Sequence, residues 1–138
     1  IKIFSTQIPA LNLDIALLLL RVTIAVLMLS HGIPKFEMLS SNPIEFMDFM
    51  GLGPEISLYL TIFAEVICSF LLLFGVATRL AVIPLIITML VAIFVIHIND
   101  SLGDMEMAIH YLLVYLVLLL LGAGKYSVDY VLSHRKRV

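Results

Sequence analysis

The chain has 138 residues, of which 62% are hydrophobic and 13% charged, and its formal net charge is −2. Soluble domains are about 45 to 50% apolar, so this composition excludes a soluble catalytic domain and places the chain in a lipid bilayer. The length allows four membrane spans of roughly 20 residues with short loops between them. We therefore expect one membrane domain over residues 1–138, and no nucleic-acid partner.

Four apolar runs predict four transmembrane helices. The first span is predicted at about residues 14–34 and the second at about 55–75, where Pro54 suits a first helical turn. The third is predicted at about 78–98 and the fourth at about 105–122. The expected fold class is all-α, an integral membrane four-helix bundle.

The first outer loop also carries a helix signal. Asn42 is a good N-cap, Pro43 fits the first helical position, and Glu45 can complete a capping box. The sequence predicts a short interfacial helix at about residues 43–50, lying over the mouth of the bundle. The alternative is an apolar loop that rests on lipid headgroups.

The positions of the basic residues predict the orientation. After the fourth span comes a basic tail, residues 125–138, which we interpret as an anchor to anionic lipid. Only Lys35 lies in an outer loop, and the other loop and tail cations share the opposite side: Lys2, Arg79, Lys125, Arg135, Lys136 and Arg137. Because such residues concentrate on the cytoplasmic side, both termini are predicted to be cytoplasmic, in a bacterial cytoplasmic membrane.

Six ionisable side chains lie in or at the edges of the apolar runs. An ionisable group at the bilayer centre costs about 2.5 to 3.5 kcal/mol on insertion scales, so such groups normally face the bundle interior and indicate function. The candidate cofactor-binding residues are Arg21, His31, Glu65, His97, Glu106 and His110.

Depth and helical phase predict which of these side chains meet. Arg21 and Glu65 differ in height by only roughly 5 Å at 1.5 Å per residue, so we expect an ion pair between them. Thr61, Glu65 and Ser69 repeat every fourth residue and predict a polar stripe that faces the bundle. The alternative for the pair is a purely structural lock between two helices.

The histidines suggest a second meeting point near the outer membrane face. We expect His31, His97, Glu106 and His110 to line one cavity, and Glu65 is a further candidate for it. Such a group can ligate a transition metal, relay protons, or donate hydrogen bonds to a quinone that enters from the lipid. Taken singly, each histidine also fits an interfacial residue with no ligand.

Two kinds of site are excluded. Glu106 and His110 are four residues apart, whereas the di-iron bundle motif is Glu-x-x-His, so no ferritin-like metal centre is assigned. Cys68 is the only cysteine, which excludes an internal disulfide and a Cys-x-x-Cys thiol relay.

Several short motifs occur in a fixed order on the four spans. They are Arg21 in a Leu-Arg opening, His31-Gly32-Ile33-Pro34-Lys35-Phe36, Ala64-Glu65, Gly75-x-x-Thr78-Arg79, His97, Glu106 and Gly122-x-Gly124-x-x-Ser127-Val128-Asp129. From about Ile15 to Asp129 the chain resembles the DoxX family. That resemblance implies a compact four-helix bundle in the bacterial cytoplasmic membrane. Related proteins include a subunit of thiosulfate:quinone oxidoreductase.

The leading hypothesis is therefore a membrane redox subunit whose polar centre binds a quinone headgroup or relays its protons. Because the sequence has no flavin, haem or iron–sulfur motif, we expect a protein partner that supplies electrons, or a homo-oligomer. Quinone is the favoured cofactor and a transition metal the weaker one. The second hypothesis is a non-enzymatic membrane scaffold that anchors partner proteins. The third and weakest is permeation of protons or a small solute.

Overall fold

The fold consists of membrane-spanning helices, as a computed structural model shows for residues 3–134. Within this range four helices are long and apolar enough to cross a membrane: α1 (Ala10–Gly32), α2 (Pro54–Phe74), α3 (Thr78–Ile96) and α4 (Leu102–Leu121). A short helix, α5 (Val128–His134), follows, and the described residues contain no strand. The predicted all-α integral membrane fold is confirmed.

The helix ends follow local sequence signals. Helix α2 begins at Pro54, directly after Gly53, as the sequence predicts. Helix α1 begins earlier than expected, at Ala10. Helices α3 and α4 are separated only by residues 97–101. Arg135, Lys136 and Arg137 of the predicted tail, like Lys2, lie outside the described residues.

The core lies between the inward faces of the four spans. Its deeply buried apolar side chains include Leu17, Leu72, Leu85, Tyr115 and Leu118, each no more than 2% exposed. A second, smaller apolar cluster forms around Leu58, near the N-terminal end of α2. The rest of the apolar surface faces outward, as a bundle surrounded by acyl chains requires.

Helices α1 and α2 approach closely at Gly32. A Cβ at this position would lie 2.8 Å from the Cβ of Glu65 and 2.9 Å from a methyl of Val66. No larger side chain fits without a shift of α2. Gly32 therefore brings the middle of α2, with Glu65, against the end of α1.

The first outer loop differs from the prediction. Its helix is a 3₁₀ helix at Ile33–Ser40, whereas residues 43–50 are not helical. Pro34 has no amide hydrogen to continue the α-helical hydrogen bonds of α1, and the chain continues as the narrower 3₁₀ helix. Ile44 and Phe46 are half-buried against the Leu58 cluster, and the intervening Glu45 is exposed. Alternating buried and exposed side chains are typical of an extended segment. The packing of Ile44 and Phe46 against α2 therefore outweighs the helix-capping signal of Asn42 and Glu45.

Both α2 and α3 contain a wide turn. Residues Phe63–Ile67 of α2 and Ala92–Ile96 of α3 form π-helical turns, in which the hydrogen bond spans one residue more than in an α-helix. Glu65 lies in the first of these turns. Such turns occur frequently at functional sites, and the apolar periodicity of the sequence gives no sign of them.

Candidate functional site

Arg21 binds main-chain carbonyls and forms no ion pair with Glu65. Its Nη1 donates to the carbonyl oxygen of Leu72 at 3.0 Å, and its Nη2 donates to that of Tyr126. Leu72 lies in the last turn of α2, so the guanidinium caps the negative end of that helix dipole. The predicted Arg21–Glu65 ion pair is therefore wrong.

The direction of helical side chains explains this correction. Side chains lean towards the N-terminus of their own helix. Arg21 on α1 therefore reaches towards Ala10, whereas Glu65 on the antiparallel α2 reaches towards Pro54. Two residues at similar heights consequently point to opposite ends of the bundle. Backbone height alone could not predict their partners.

Asp129 caps helix α3 from a distant part of the chain. Its two carboxylate oxygens accept from the amides of Ala77 and Thr78, at 2.6 and 2.8 Å. The amide of Asp129 donates in turn to the carbonyl oxygen of Gly75 at 2.8 Å. A carboxylate at a helix N-terminus satisfies free amides and the helix dipole together. The motif ending in Asp129 thus connects α5 to the turn between α2 and α3.

Arg79 and Asp14 complete the same end of the bundle. Arg79 donates through Nε to Leu119 and through Nη2 to Leu120, at 3.1 and 3.2 Å, and so caps the C-terminus of α4. Asp14 accepts from the amide of Lys125 at 3.1 Å. We call this region, with its four backbone-bonded side chains Arg21, Asp14, Arg79 and Asp129, the capped end. Its charges are used to hold helix termini.

Glu65 instead pairs with Lys35. The Nζ of Lys35 lies 2.7 Å from Oε1 of Glu65 and also contacts Oε2. Glu65 is 4% exposed, whereas the Lys35 side chain is 25% exposed. Lys35 extends from the 3₁₀ helix into the bundle, as long amphipathic side chains do at membrane interfaces. The sequence prediction missed this partner because Lys35 was assigned to the outer loop.

An apolar cavity of about 430 Å³ lies beside this ion pair. We call it the Glu65 groove. Leu60, Phe63 and Ile87 line it and are 48%, 45% and 49% exposed on the outward surface of the bundle. Other lining residues include Lys35, Phe46, Phe49, Ser57, Thr61, Ala64, Glu65, Thr88, Met89, Ala92 and Ile96. The groove therefore opens between α2 and α3 towards the acyl chains.

The two π-helical turns form part of the groove wall. Phe63 and Glu65 come from the turn in α2, and Ala92 and Ile96 come from the turn in α3. Each turn re-aims the side chains that follow it, because it adds a residue to the helical repeat. Glu65 is thus both buried and part of the groove lining.

The hydroxyl groups of the groove already have partners. Thr61 donates to the carbonyl oxygen of Ser57 at 2.9 Å, and Thr88 donates to that of Pro84 at 2.8 Å. Ser57 accepts from the amide of Phe49 at 2.8 Å. A ligand head in the groove would therefore find its strongest polar partners in Lys35 and Glu65.

The histidines of the sequence prediction lie elsewhere. His31 is exposed and its ring meets Tyr111 edge-on, at a centroid distance of 5.8 Å. His97 lies 2.7 Å from Asp100 in the loop between α3 and α4. Neither histidine lines the Glu65 groove.

Glu106 and His110 are both exposed on α4. Across residues 3–134, no three His, Cys, Asp or Glu side chains come close enough to hold a metal ion. The predicted convergence of these residues with Glu65 is therefore not found. Of the six predicted site residues, the structure places Glu65 alone at the groove, with Lys35 as its unpredicted partner.

Comparison with known families adds one finding. A family model for DoxX matches residues 16–98, which is more than half of the chain. The chain belongs to the DoxX family. Comparisons with curated proteins and with solved structures found no match. The DoxX match includes Arg21, Lys35, Glu65 and Arg79, and so covers residues from both the groove and the capped end.

Proposed function

We propose that this DoxX-family protein is a membrane subunit whose Glu65 groove binds the head of a lipid-soluble quinone. One observation carries the proposal. A buried carboxylate paired with a lysine lies at an apolar groove that opens to the lipid-facing surface. Ionisable residues inside a membrane are costly and mark functional sites, and this ion pair borders a cavity of ligand size.

The groove fits the physical properties of a quinone. Its volume of about 430 Å³ lies within the usual range for small-molecule pockets. Aromatic and aliphatic walls suit a ring and its isoprenoid tail, while a few polar groups fix the orientation of the head. The Lys35 ammonium can donate to a quinone carbonyl, and the Glu65 carboxylate can accept from a quinol hydroxyl.

The ion pair also suits proton exchange. Reduction of a quinone takes up protons together with electrons, and oxidation releases them. Lys35 is part-exposed at the membrane edge while Glu65 is buried, so the pair connects the groove to water. We propose that Glu65 accepts or donates the proton at the bound head and that Lys35 stabilises its charged form.

Electrons come from another protein in this proposal. The sequence has no motif for a flavin, haem or iron–sulfur cluster, and quinone itself supplies the redox chemistry in the membrane. The chain would then bind and orient the quinone for a partner subunit. The bilayer is the environment that its four apolar helices require.

We further propose that the capped end faces the cytoplasm of a bacterium. Arg79 and Lys125 lie at this end, and Lys35 lies at the other. Cytoplasmic loops carry the excess of Lys and Arg. A cysteine at Ser133 should be protected from an impermeant thiol reagent in intact cells, and one at Ser101 should react. The reverse pattern would overturn this orientation.

Quinone titration of the purified protein tests the binding proposal. A ligand that binds the folded state raises the melting temperature as its concentration rises. We expect this rise in the parent and not in Ala92→Phe, which reduces the volume of the groove and keeps both charged residues, nor in Glu65→Gln. His97→Phe is the matched control, because His97 lies outside the groove, and it should keep the parental response.

Two outcomes would contradict the proposal. One is an absence of any quinone-dependent shift in the parent protein, which would leave the scaffold hypothesis as the better account. The other is loss of the shift in His97→Phe with retention in Ala92→Phe. That result would return the site to the histidines named from the sequence.

A further inference from the structure

The outward face of α4 carries ionisable side chains at membrane depth. Glu106, His110, Leu113, Val117 and Leu120 share this face, which we call the α4 stripe. It lies opposite the buried face of α4, formed by Tyr111, Tyr115 and Leu118. Glu106 and His110 are exposed, and Leu113 and Leu120 are 60% and 75% exposed.

His110 is too deep for an interfacial residue. It follows the helix start at Leu102 by eight residues, which is about 12 Å at 1.5 Å per residue. The hydrocarbon core is about 30 Å thick, so His110 lies well inside it. Ionisable residues at such depth almost always face protein or a water-filled cavity. The structure of residues 3–134 leaves both Glu106 and His110 exposed, so no described part of this chain hides them from lipid.

We infer that a second copy of this chain packs against the α4 stripe. Its residues are spaced four, three, four and three apart, which is the repeat of a left-handed helix pair. A two-fold interface joins a patch to itself, and this stripe is self-complementary because it carries both an acid and a base. With the two α4 helices parallel, equivalent residues lie at the same depth, and each Glu106 contacts the partner's His110 from the layer one turn above it.

Disulfide cross-linking in native membranes tests this dimer. Leu113→Cys and Leu120→Cys should each form an adduct of twice the chain's mass on mild oxidation. Leu112→Cys is the matched control, since Leu112 lies next to Leu113 in depth, is turned about 100° around the helix and packs against the core, and it should not cross-link. Native Cys68 is buried at 1% exposure and should stay silent.

A charge change tests the acid–base contact separately. Glu106→Lys should lower the cross-linking yield of Leu113→Cys several-fold, once the yield is normalised to chain present in the membrane fraction. The dimer inference is overturned if Leu112→Cys cross-links as well as Leu113→Cys, if neither stripe cysteine cross-links, or if the adduct has another protein's mass. An unchanged yield in Glu106→Lys would overturn the pairing of Glu106 with the partner's His110.

Discussion

The two ends of the bundle use buried charge in different ways. At the capped end, Arg21, Arg79 and Asp129 bind main-chain atoms and so hold helix termini together. At the Glu65 groove, a lysine and a carboxylate bind each other beside an apolar cavity. Charges that satisfy the backbone are not free for a ligand, whereas the Lys35–Glu65 pair lies at the wall of a cavity.

Gly75 offers the strongest test of the capped end. Its φ of +71° suits glycine, and a Cβ there would overlap Ser127 and lie 2.5 Å from Nη1 of Arg21. Gly75→Ala should therefore lower the free energy of unfolding by about 3 kcal/mol or more. The change is detected as a fall in the melting temperature in detergent. Gly51→Ala is the control, because Gly51 has a similar φ of +77° and no neighbour within 4 Å. It should lose only about 1 kcal/mol. Equal losses would mean that Gly75 is not packed as described.

Replacement of the two capping arginines should give unequal losses. Arg21 is 1% exposed, whereas Arg79 is exposed. Arg21→Met leaves carbonyls of α2 and Tyr126 without their donor and should cost about 3 kcal/mol. Arg79→Met should cost about 1 kcal/mol or less. Neither variant should change the quinone-dependent thermal shift, and a loss of that shift in Arg21→Met alone would place the ligand near the capped end.

Lys35 and Glu65 should be energetically coupled. Removal of either partner leaves a charge without its counterion inside the membrane, while removal of both leaves none. The cycle of Glu65→Gln, Lys35→Met and the double variant should therefore show a coupling of about 1 to 3 kcal/mol in detergent unfolding. A cycle of Glu65→Gln with Arg21→Met should be additive. Coupling in that second cycle would restore the ion pair that the sequence predicted.

A smaller effect than that of Arg21 is expected at Asp129. Asp129→Ala removes the cap from the start of α3 and should cost about 1 kcal/mol. Asp48 accepts from the amide of Gly53 at 2.8 Å in the exposed outer loop, away from the capped end. Asp48→Ala is therefore the matched control, since it also removes a carboxylate that accepts from a backbone amide. The melting temperature of Asp48→Ala should fall less than that of Asp129→Ala. A larger fall for Asp48→Ala would show that the outer loop, and not the capped end, limits stability.

Apolar runs predicted the spans well because a bilayer leaves few alternatives to a helix of the right length. Glu65 was also identified, since a buried carboxylate is conspicuous among apolar residues. The partners of Arg21 and Glu65 were not identified, because they depend on the direction in which helical side chains point along the helix axis. The helix predicted at residues 43–50 failed where tertiary packing of Ile44 and Phe46 outweighed a local cap.

Photoaffinity labelling with an azido-quinone tests the central claim most directly, because it reports where the ring lies. In membranes containing the parent protein, the label should map to groove residues such as Phe63, Thr88 and Met89. It should be displaced by excess quinone, fall in Ala92→Phe and persist in Arg79→Met. Labelling at Tyr130 or Ser133 of the capped end, or labelling that Ala92→Phe leaves unchanged, would contradict the assignment of ligand chemistry to the Glu65 groove.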